Sequence, residues 1–458
     1  MSNQRAANDV LSIAYVERQL FARGPHVAAE PSLDRITKAM ELLGVPQRDY
    51  RCVHLTGTNG KTSTARLVEA ILAESGAHTG RFTSPHLTSI TERITIGEQV
   101  IDVPGFVSAY TAVTESARQL DAALPDKLSF FEMTVAMAYQ AFREAAIDVA
   151  VVEVGMGGQW DATNVIDADV ALILPVALDH TEYLGTTTAA IASEKAGIIK
   201  PGGVAVSARQ SPEVARVLKA RAAAVGARIF VAEEDFFLHE RQVVDNGQRI
   251  TVRGLHDTYS DVLLTLRGQH QAENAACAVA AAELVLGHAL DTHAVRSALA
   301  RVTSPGRFDV RPGTPTVILD AAHNPHGARA LAATLREGSP CRTFAVVAAM
   351  ADKHVEGMLR ALEPAVDVIV CTRNSSPRSL SPADLAWFAR QVFGAQRVHL
   401  APTVETAIGL AKRFAAPARH GCVQSALVLV TGSVVTVGDA MRVVPAPAPS
   451  AESTDLSP

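Results

Sequence analysis

The chain has 458 residues, 48% of them apolar, and a formal net charge of −5. That length exceeds what one hydrophobic core supports, so two domains, at most three, are expected, and the composition excludes general disorder. An acidic balance with no basic run longer than a pair argues against nucleic acid or an anionic membrane as the main partner.

Cys52, Cys277, Cys341, Cys371 and Cys422 are scattered, with no C-x-x-C pair, so neither a disulfide framework nor a zinc site is expected. Asp9 and Glu17 interrupt the apolar pattern of the first twenty residues, unlike a signal peptide. The longest apolar runs, such as "VALILPVAL", reach only about half a membrane span. A soluble, cytoplasmic protein is the expectation.

In chain order, "CVHLTG" reads as a strand that leads into a helix over 61–74. "DVAVVEVG" (148–155), "DVALILPVA" (169–177) and "VLLTL" (262–266) follow as further strands. Their apolar residues fall on consecutive positions, as in parallel strands covered on both faces. A second series comprises "TVILDA" (316–321), "TFAVVAAM" (343–350), "DVIVCT" (367–372) and "ALVLVTG" (426–432). Two α/β units are therefore expected, joined near Ser304, Pro305 and Gly306, which interrupt the helical pattern "AVRSALARV". This puts the first domain at 1–303, the second at 304–444, and a Pro/Ser-rich disordered tail at 445–458.

"HLTGTNGKTSTARL" carries the chemistry of a phosphate cradle: a strand, Gly57 and Gly60 for tight turns, Lys61, Thr62, and a helix starting at once. Inward backbone N–H groups and the positive helix end favour an anion there. The usual G-x-x-x-x-G-K-[ST] form would put a glycine at position 55, where the chain has Leu55. Glu153 closes the run "DVAVVE" and Asp320 closes "TVIL", each at the C-terminal edge of a strand, where ligands of open α/β sheets bind. Other residues read blandly by themselves. Ser84 in "TSPHL" suits a turn, His180 a strand end, Lys195 a surface helix, Asn274 an exposed helix position, and Phe130–Phe131 a core.

The shortened loop "TGTNGKTS" resembles the ATP loop of the Mur ligase superfamily. "RFTSPHLTSITERI", "EVGMGGQWDATN", "LDHTEYLG", "SEKAGIIK" and "LDAAHNPHGA" narrow the resemblance to the folylpolyglutamate synthase family, in its bacterial form that is also a dihydrofolate synthase. The likeness runs from about Pro31 to about Ala440. Only 56 residues precede Gly57, fewer than the UDP-sugar domain of Mur ligases proper would need.

The resemblance implies a P-loop-containing Mur-ligase-like ATPase domain, a smaller Rossmann-like α/β domain, and an active site in the cleft between them. It implies ATP and magnesium as cofactors and small-molecule substrates: 7,8-dihydropteroate, reduced folates and L-glutamate, with no nucleic acid or membrane partner and a monomeric chain. ATP contacts are carried over to Gly57, Thr58, Asn59, Gly60, Lys61, Thr62, Asn274, Arg307 and Asp320. Ser84, Glu153 and His180 become magnesium ligands, and Lys61, Lys195 and His323 catalytic groups, with Lys195 carbamylated to N6-carboxylysine. The acceptor would meet Ser129, Phe130, Phe131, Glu132, Trp160, Asp161 and Ala162, with the segment before "PSLDRI" as another wall. Trp160 stands where the family usually has a smaller residue. Asp352, Lys353 and Ser433 match family segments near the cleft. A single-activity folylpolyglutamate synthase, another Mur-type ligase and a non-catalytic ATP switch remain as alternatives; the switch is disfavoured because Lys61, Glu153 and His323 are all present.

Overall fold

The computed structural model describes residues 12–24, 32–337, 341–416 and 426–444. The tail 445–458, Cys422 and the segment just ahead of Ser32 lie outside the described residues.

Among the described residues the strands form three sheets. The first contains β1 (Arg51–Thr56), β2 (Thr79–Phe82), β3 (Ile94–Ile96), β4 (Gln99–Val100), β5 (Val149–Glu153), β6 (Val170–Ile173), β7 (Val204–Ser207) and β8 (Arg228–Val231), in the order β4-β3-β2-β5-β1-β6-β7-β8. From β2 to β8 every neighbouring pair is parallel, while β3 and β4 add antiparallel at one edge. Central strands β1, β5 and β6 are buried along almost their whole length, which is why their sequences are continuously apolar rather than alternating.

The strand order positions the site. Because β2, β5, β1 and β6 are consecutive neighbours running the same way, the residues that follow them emerge along one sheet edge. Ser84 follows β2, Glu153 ends β5, the glycine loop follows β1, and the segment to His180 follows β6. The expected helix appears as Lys61–Glu74, entered directly from Gly60.

Two sequence expectations need correction. The run 169–177 is a strand only over Val170–Ile173. Beyond it the chain turns to the glycine loop, with Leu174 N–H donating to Thr56 O at 2.8 Å and Pro175 O accepting from Thr58 N–H at 2.9 Å. "VLLTL" is not a strand of the first sheet. It belongs to β11 (Thr258–Leu264), which with β9 (Phe237–Val244) and β10 (Gly247–Arg253) forms a separate three-stranded sheet. Its buried positions are interspersed with exposed ones, so the short apolar run masked a strand with one solvated face.

The third sheet contains β12 (Asp309–Arg311), β13 (Thr316–Leu319), β14 (Arg342–Val347), β15 (Val368–Cys371), β16 (Val398–Leu400) and β17 (Ala426–Thr431), ordered β12-β13-β17-β14-β15-β16. Only β12 runs antiparallel. Leu331, Val347, Leu359, Ile369 and Leu385 anchor the core on one of its faces.

The chain divides into two compact units. One comprises Met1–Gln242, Arg249–Leu264 and Glu273–Val302; the other comprises Val243–Gln248, Thr265–Ala272 and Thr303–Pro458. Two short excursions thus group with the second unit, which a single boundary along the chain cannot express. No described helix is long and apolar enough to cross a membrane.

Candidate active site

The glycine loop is shaped by what touches it. Gly57 has φ 154°, and a Cβ there would lie 2.6 Å from Leu174 Cβ. Gly60 has φ 90°, and a Cβ there would meet Asn274 Oδ1 at 3.0 Å. Any side chain at either position would collide or strain the backbone. Asn274, read from sequence as an exposed helix residue, is instead buried, with its amide against the loop. Thr58 Oγ1 donates to Ala177 O and accepts from Ala177 N–H, both at 2.9 Å, fastening the loop to the segment after β6.

Two lysines converge on one carbonyl. Lys61 Nζ and Lys195 Nζ each donate to Gly57 O at 3.0 Å. Lys195 is therefore not a surface residue: its side chain is buried, and burial, reinforced by the Lys61 charge, pushes its pKa down to about 7. Asp179 acts in the opposite direction on it. A lysine so placed holds a large fraction of neutral, nucleophilic amine at neutral pH.

Glu153 is buried at the end of β5, one strand from the loop. Thr62 Oγ1 lies 3.1 Å from both its carboxylate oxygens, and Ser84 N–H donates to Oε2 at 3.4 Å. The donor set of Glu153, Thr62 and Ser84 is all hard oxygen, which suits magnesium, an ion that takes few protein ligands and keeps several waters. His180 occupies the end of the β6 segment, exposed and left-handed at φ 50°, its N–H donating to Asp179 Oδ1 at 2.9 Å. Among the described residues no three His, Cys, Asp or Glu side chains cluster to hold a metal.

The "GMGGQWDAT" loop is braced from behind. Gly158 has no room for a side chain: a Cβ would lie 2.8 Å from the carbonyls of Glu194 and Lys195. The Glu194 carboxylate accepts from Trp160 N–H at 3.2 Å, and its backbone carbonyl accepts from Gln159 N–H at 2.9 Å. The loop is thereby locked onto the helix Thr188–Lys195 that delivers Lys195. Asp161, expected against the acceptor, is buried and fully engaged within the loop. It accepts from Met156 N–H at 2.9 Å, Thr163 N–H at 3.0 Å and Thr163 Oγ1 at 2.5 Å. Burial raises its pKa, with these bonds opposing. Since a carboxylate only accepts, Thr163 must donate to it and accept in turn from His54 Nε2 at 2.8 Å, which assigns the tautomer of that buried histidine. Ala162 is buried beside it, and Trp160 packs, half-buried, against the apolar cluster that includes Val154 and Leu184.

The "SFFE" segment opens the helix Phe130–Glu144. Ser129 and Glu132 form its capping box: Ser129 Oγ accepts from Glu132 N–H at 3.2 Å and Glu132 Oε2 from Ser129 N–H at 2.8 Å. Arg35 also pairs with Glu132 at 3.2 Å. Phe130 is not an open stacking platform. Phe21 stacks on it at 5.2 Å and the Arg93 guanidinium lies 5.0 Å from its centroid. Phe131 packs on Gly155, where a Cβ would lie 2.5 Å from its ring, and tilts against Phe82 at 5.9 Å.

In the second unit, Asp320 directly follows β13. Its carboxylate accepts from Phe308 N–H at 2.8 Å and Ala322 N–H at 2.9 Å. Burial raises its pKa, while the positive charges of Arg307 and His323 oppose that rise. Arg307, Asp320 and His323 therefore share one corner, with His323 Nδ1 placed 3.0 Å from Ala321 O. Ser433 follows β17 and caps the helix Val434–Met441, and its Oγ accepts from Asn374 at 3.2 Å. Asp352, after β14, pairs with Arg378 at 3.5 Å, and Lys353 sits beside it in the same turn.

The Mur ligase middle domain matches residues 55–282 and the Mur ligase glutamate ligase domain matches 306–434. The chain is 44% identical over 457 residues to the dihydrofolate synthase/folylpolyglutamate synthase of Mycobacterium tuberculosis, covering 94% of each. It belongs to the dihydrofolate synthase/folylpolyglutamate synthase family of Mur ligases. Another family member, the folylpolyglutamate synthase of Lacticaseibacillus casei, is 34% identical, with 78% of this chain and 85% of the relative covered. Crystal structures of the Mycobacterium tuberculosis folylpolyglutamate synthase complexed with ADP and AMPPCP superpose with TM-score 0.90 at 43% identity, covering 95% of this chain and 98% of that one. Escherichia coli FolC in complex with DHPP and ADP superposes with TM-score 0.83 at 28% identity, covering 96% and 99%.

Sequence reasoning missed Glu194, Asp179, His54 and Arg93. Glu194 and Asp179 adjoin residues already singled out, so adjacency was their signal. His54 and Arg93 lie inside the quoted segments "HLTGTNGKTSTARL" and "RFTSPHLTSITERI", but a histidine in a strand and an arginine at a turn read as ordinary until their neighbours are known. Arg93 is buried, and burial pulls its pKa down to about 10, with the charge of Glu153 opposing.

Proposed function

We infer that this chain is an ATP- and magnesium-dependent amide ligase that joins the α-amine of L-glutamate to 7,8-dihydropteroate and to the γ-carboxyl of reduced folates. The observation that carries this reading is the convergence of Lys61, Lys195 and the Thr62–Glu153 pair on the glycine loop at the end of the central strand. An acceptor carboxylate oxygen attacks the γ-phosphorus and ADP leaves, giving an acyl phosphate. The glutamate amine then attacks the acyl carbon, phosphate departs, and the nitrogen loses a proton. Such chemistry needs positioning and positive charge more than covalent help.

In this reading the loop amides from Gly57 to Thr62 cradle the phosphates, Lys61 meets the outer ones, and Asn274 takes the adenine edge. Glu153, with Ser84, Thr62 and His180, would hold magnesium, which when bound neutralises charge on the transferring phosphoryl group. Arg307 and Asp320 are assigned to ATP and His323 to placing the γ-phosphate or the incoming glutamate. Lys195 is assigned to carbamylation: its neutral Nζ adds to carbon dioxide, an N–C bond forms, and a proton leaves to water. Two ammonium groups at one carbonyl repel, and converting one to an anion turns that repulsion into attraction. Phe131, Trp160 and Ala162 line the acceptor side, with Ser129, Phe130, Glu132 and Asp161 supporting it. A cytoplasmic monomer suffices for this reading.

The test is a paired assay with ATP, magnesium and L-glutamate, offering either 7,8-dihydropteroate or a reduced monoglutamyl folate. A glutamyl mass increment on both, with ADP and phosphate released, is expected. An increment on the folate alone would reduce the reading to a single-activity synthase, and no increment on either would sink it.

A further inference from the structure

The reading above leaves the buried Arg93 without a task. Arg93 ends the "TSITER" segment immediately before β3, and its carbonyl accepts from Thr83 N–H at 3.0 Å, which sets it beside Ser84 and Glu153. Its guanidinium is held from several directions. Nε donates to His86 Nδ1 at 3.1 Å, Cζ lies 5.0 Å from the Phe130 ring centroid, and the Glu153 charge favours the cation. Glu92, its chain neighbour, does not neutralise it through a direct bond. That carboxylate is taken up by Leu87 N–H at 2.7 Å, Thr88 N–H at 2.9 Å, Thr88 Oγ1 at 2.6 Å and Ser89 N–H at 2.8 Å.

Only 6% of Arg93 is exposed, yet neither Nη1 nor Nη2 has a hydrogen-bond acceptor among the described residues. Neither terminal nitrogen is a fully buried orphan, so the fork still opens to solvent from a largely buried side chain, and its natural occupant is a planar anion. A carboxylate fits it bidentately; a phosphate would also fit, but Lys61 and the glycine loop already supply a phosphate cradle.

We propose that Arg93 binds the acceptor's reacting carboxylate, its two terminal nitrogens gripping both oxygens on the Ser84–Glu153 side of Phe130. This rests on the ligase reading and deepens it. The fork orients the carboxylate before phosphorylation and gives the acceptor side its selectivity for a free acid. It also assigns Phe130 to supporting the guanidinium rather than stacking on a pterin.

The experiment measures binding of 7,8-dihydropteroate and of its methyl ester, with ADP and magnesium present, to wild type and to Arg93→Gln. Wild type should prefer the free acid by about 10- to 100-fold, as expected for a charge-assisted bidentate pair, and Arg93→Gln should lose that preference while binding ADP equally well. A variant that keeps the preference with ADP binding intact would overturn the proposal. Should Arg93→Gln fail to bind ADP, Arg93→Lys decides, since it keeps the charge but cannot form the fork. Its kcat/KM for the acceptor should drop about tenfold with KM for ATP unchanged, whereas equal losses for both substrates would overturn the role. A wild type inactive in the paired assay sinks the ligase reading itself, a different outcome from an active wild type whose variants retain acid selectivity.

Discussion

The glycine loop and the proposed acceptor wall lie in the same unit, yet they are built on opposite plans. Around the loop, backbone carbonyls and N–H groups define the cradle, and the side chains of Lys61, Lys195 and Glu153 converge on it. Along the wall, Ser129, Glu132 and Asp161 are engaged in holding their own helix start or loop. A cradle made of backbone must advertise itself through glycines, because only they permit its turns. A wall made of side chains can use the same residue types for capping, and composition does not separate the two uses.

Substitutions can sharpen or break this contrast. The largest effect is expected from Lys61→Ala, which should lower turnover about 10³-fold, as loss of a transition-state charge does. Product mass spectrometry reads it, and activity near wild type would break the assignment of the loop. Next comes Asp161→Ala, which removes a buried acceptor and orphans its donors. A stability loss of about 2–4 kcal/mol is expected, read by denaturant unfolding. An intact fold with only a raised acceptor KM would instead return Asp161 to direct contact.

A smaller effect concerns pH. The folded pKa of Lys195 is about 7 against an unfolded value above 10, so between these the unfolded chain binds the extra proton. The penalty of burying this lysine is therefore full below pH 7 and is relieved as pH rises toward about 10. Its neutral fraction falls about fivefold from pH 7 to pH 6, so carbamate-dependent activity should fall with it and recover partly on adding bicarbonate. A flat profile across that range, with or without bicarbonate, would argue against the modification. The smallest effect is Ser129→Ala, which should cost about 1 kcal/mol as a lost helix cap and leave KM for both acceptors unchanged. A shift in KM without a change in melting temperature would show that the wall residue touches substrate after all.

Much of the architecture was legible because periodicity and burial are local. Continuous apolar runs marked β1 and β5, and Gly60–Lys61 marked the start of a helix. What misled was equally physical. Pro175 cut β6 short, and β11 has one solvated face that a five-residue window could not reveal. Lys195 and Asn274 looked exposed because helical position alone does not say which face is covered.

The chain's own order of residues determined the cradle, its lysine, the strand-end carboxylates and the family, since these depend on neighbours within a few positions. Only the tertiary structure decided that β5-β1-β6 lie side by side, that Lys195 arrives under Gly57 from 138 positions away, and that Phe130 serves Arg93. Burial and charge coupling depend on which distant segments pack together, and no window along the chain contains that information.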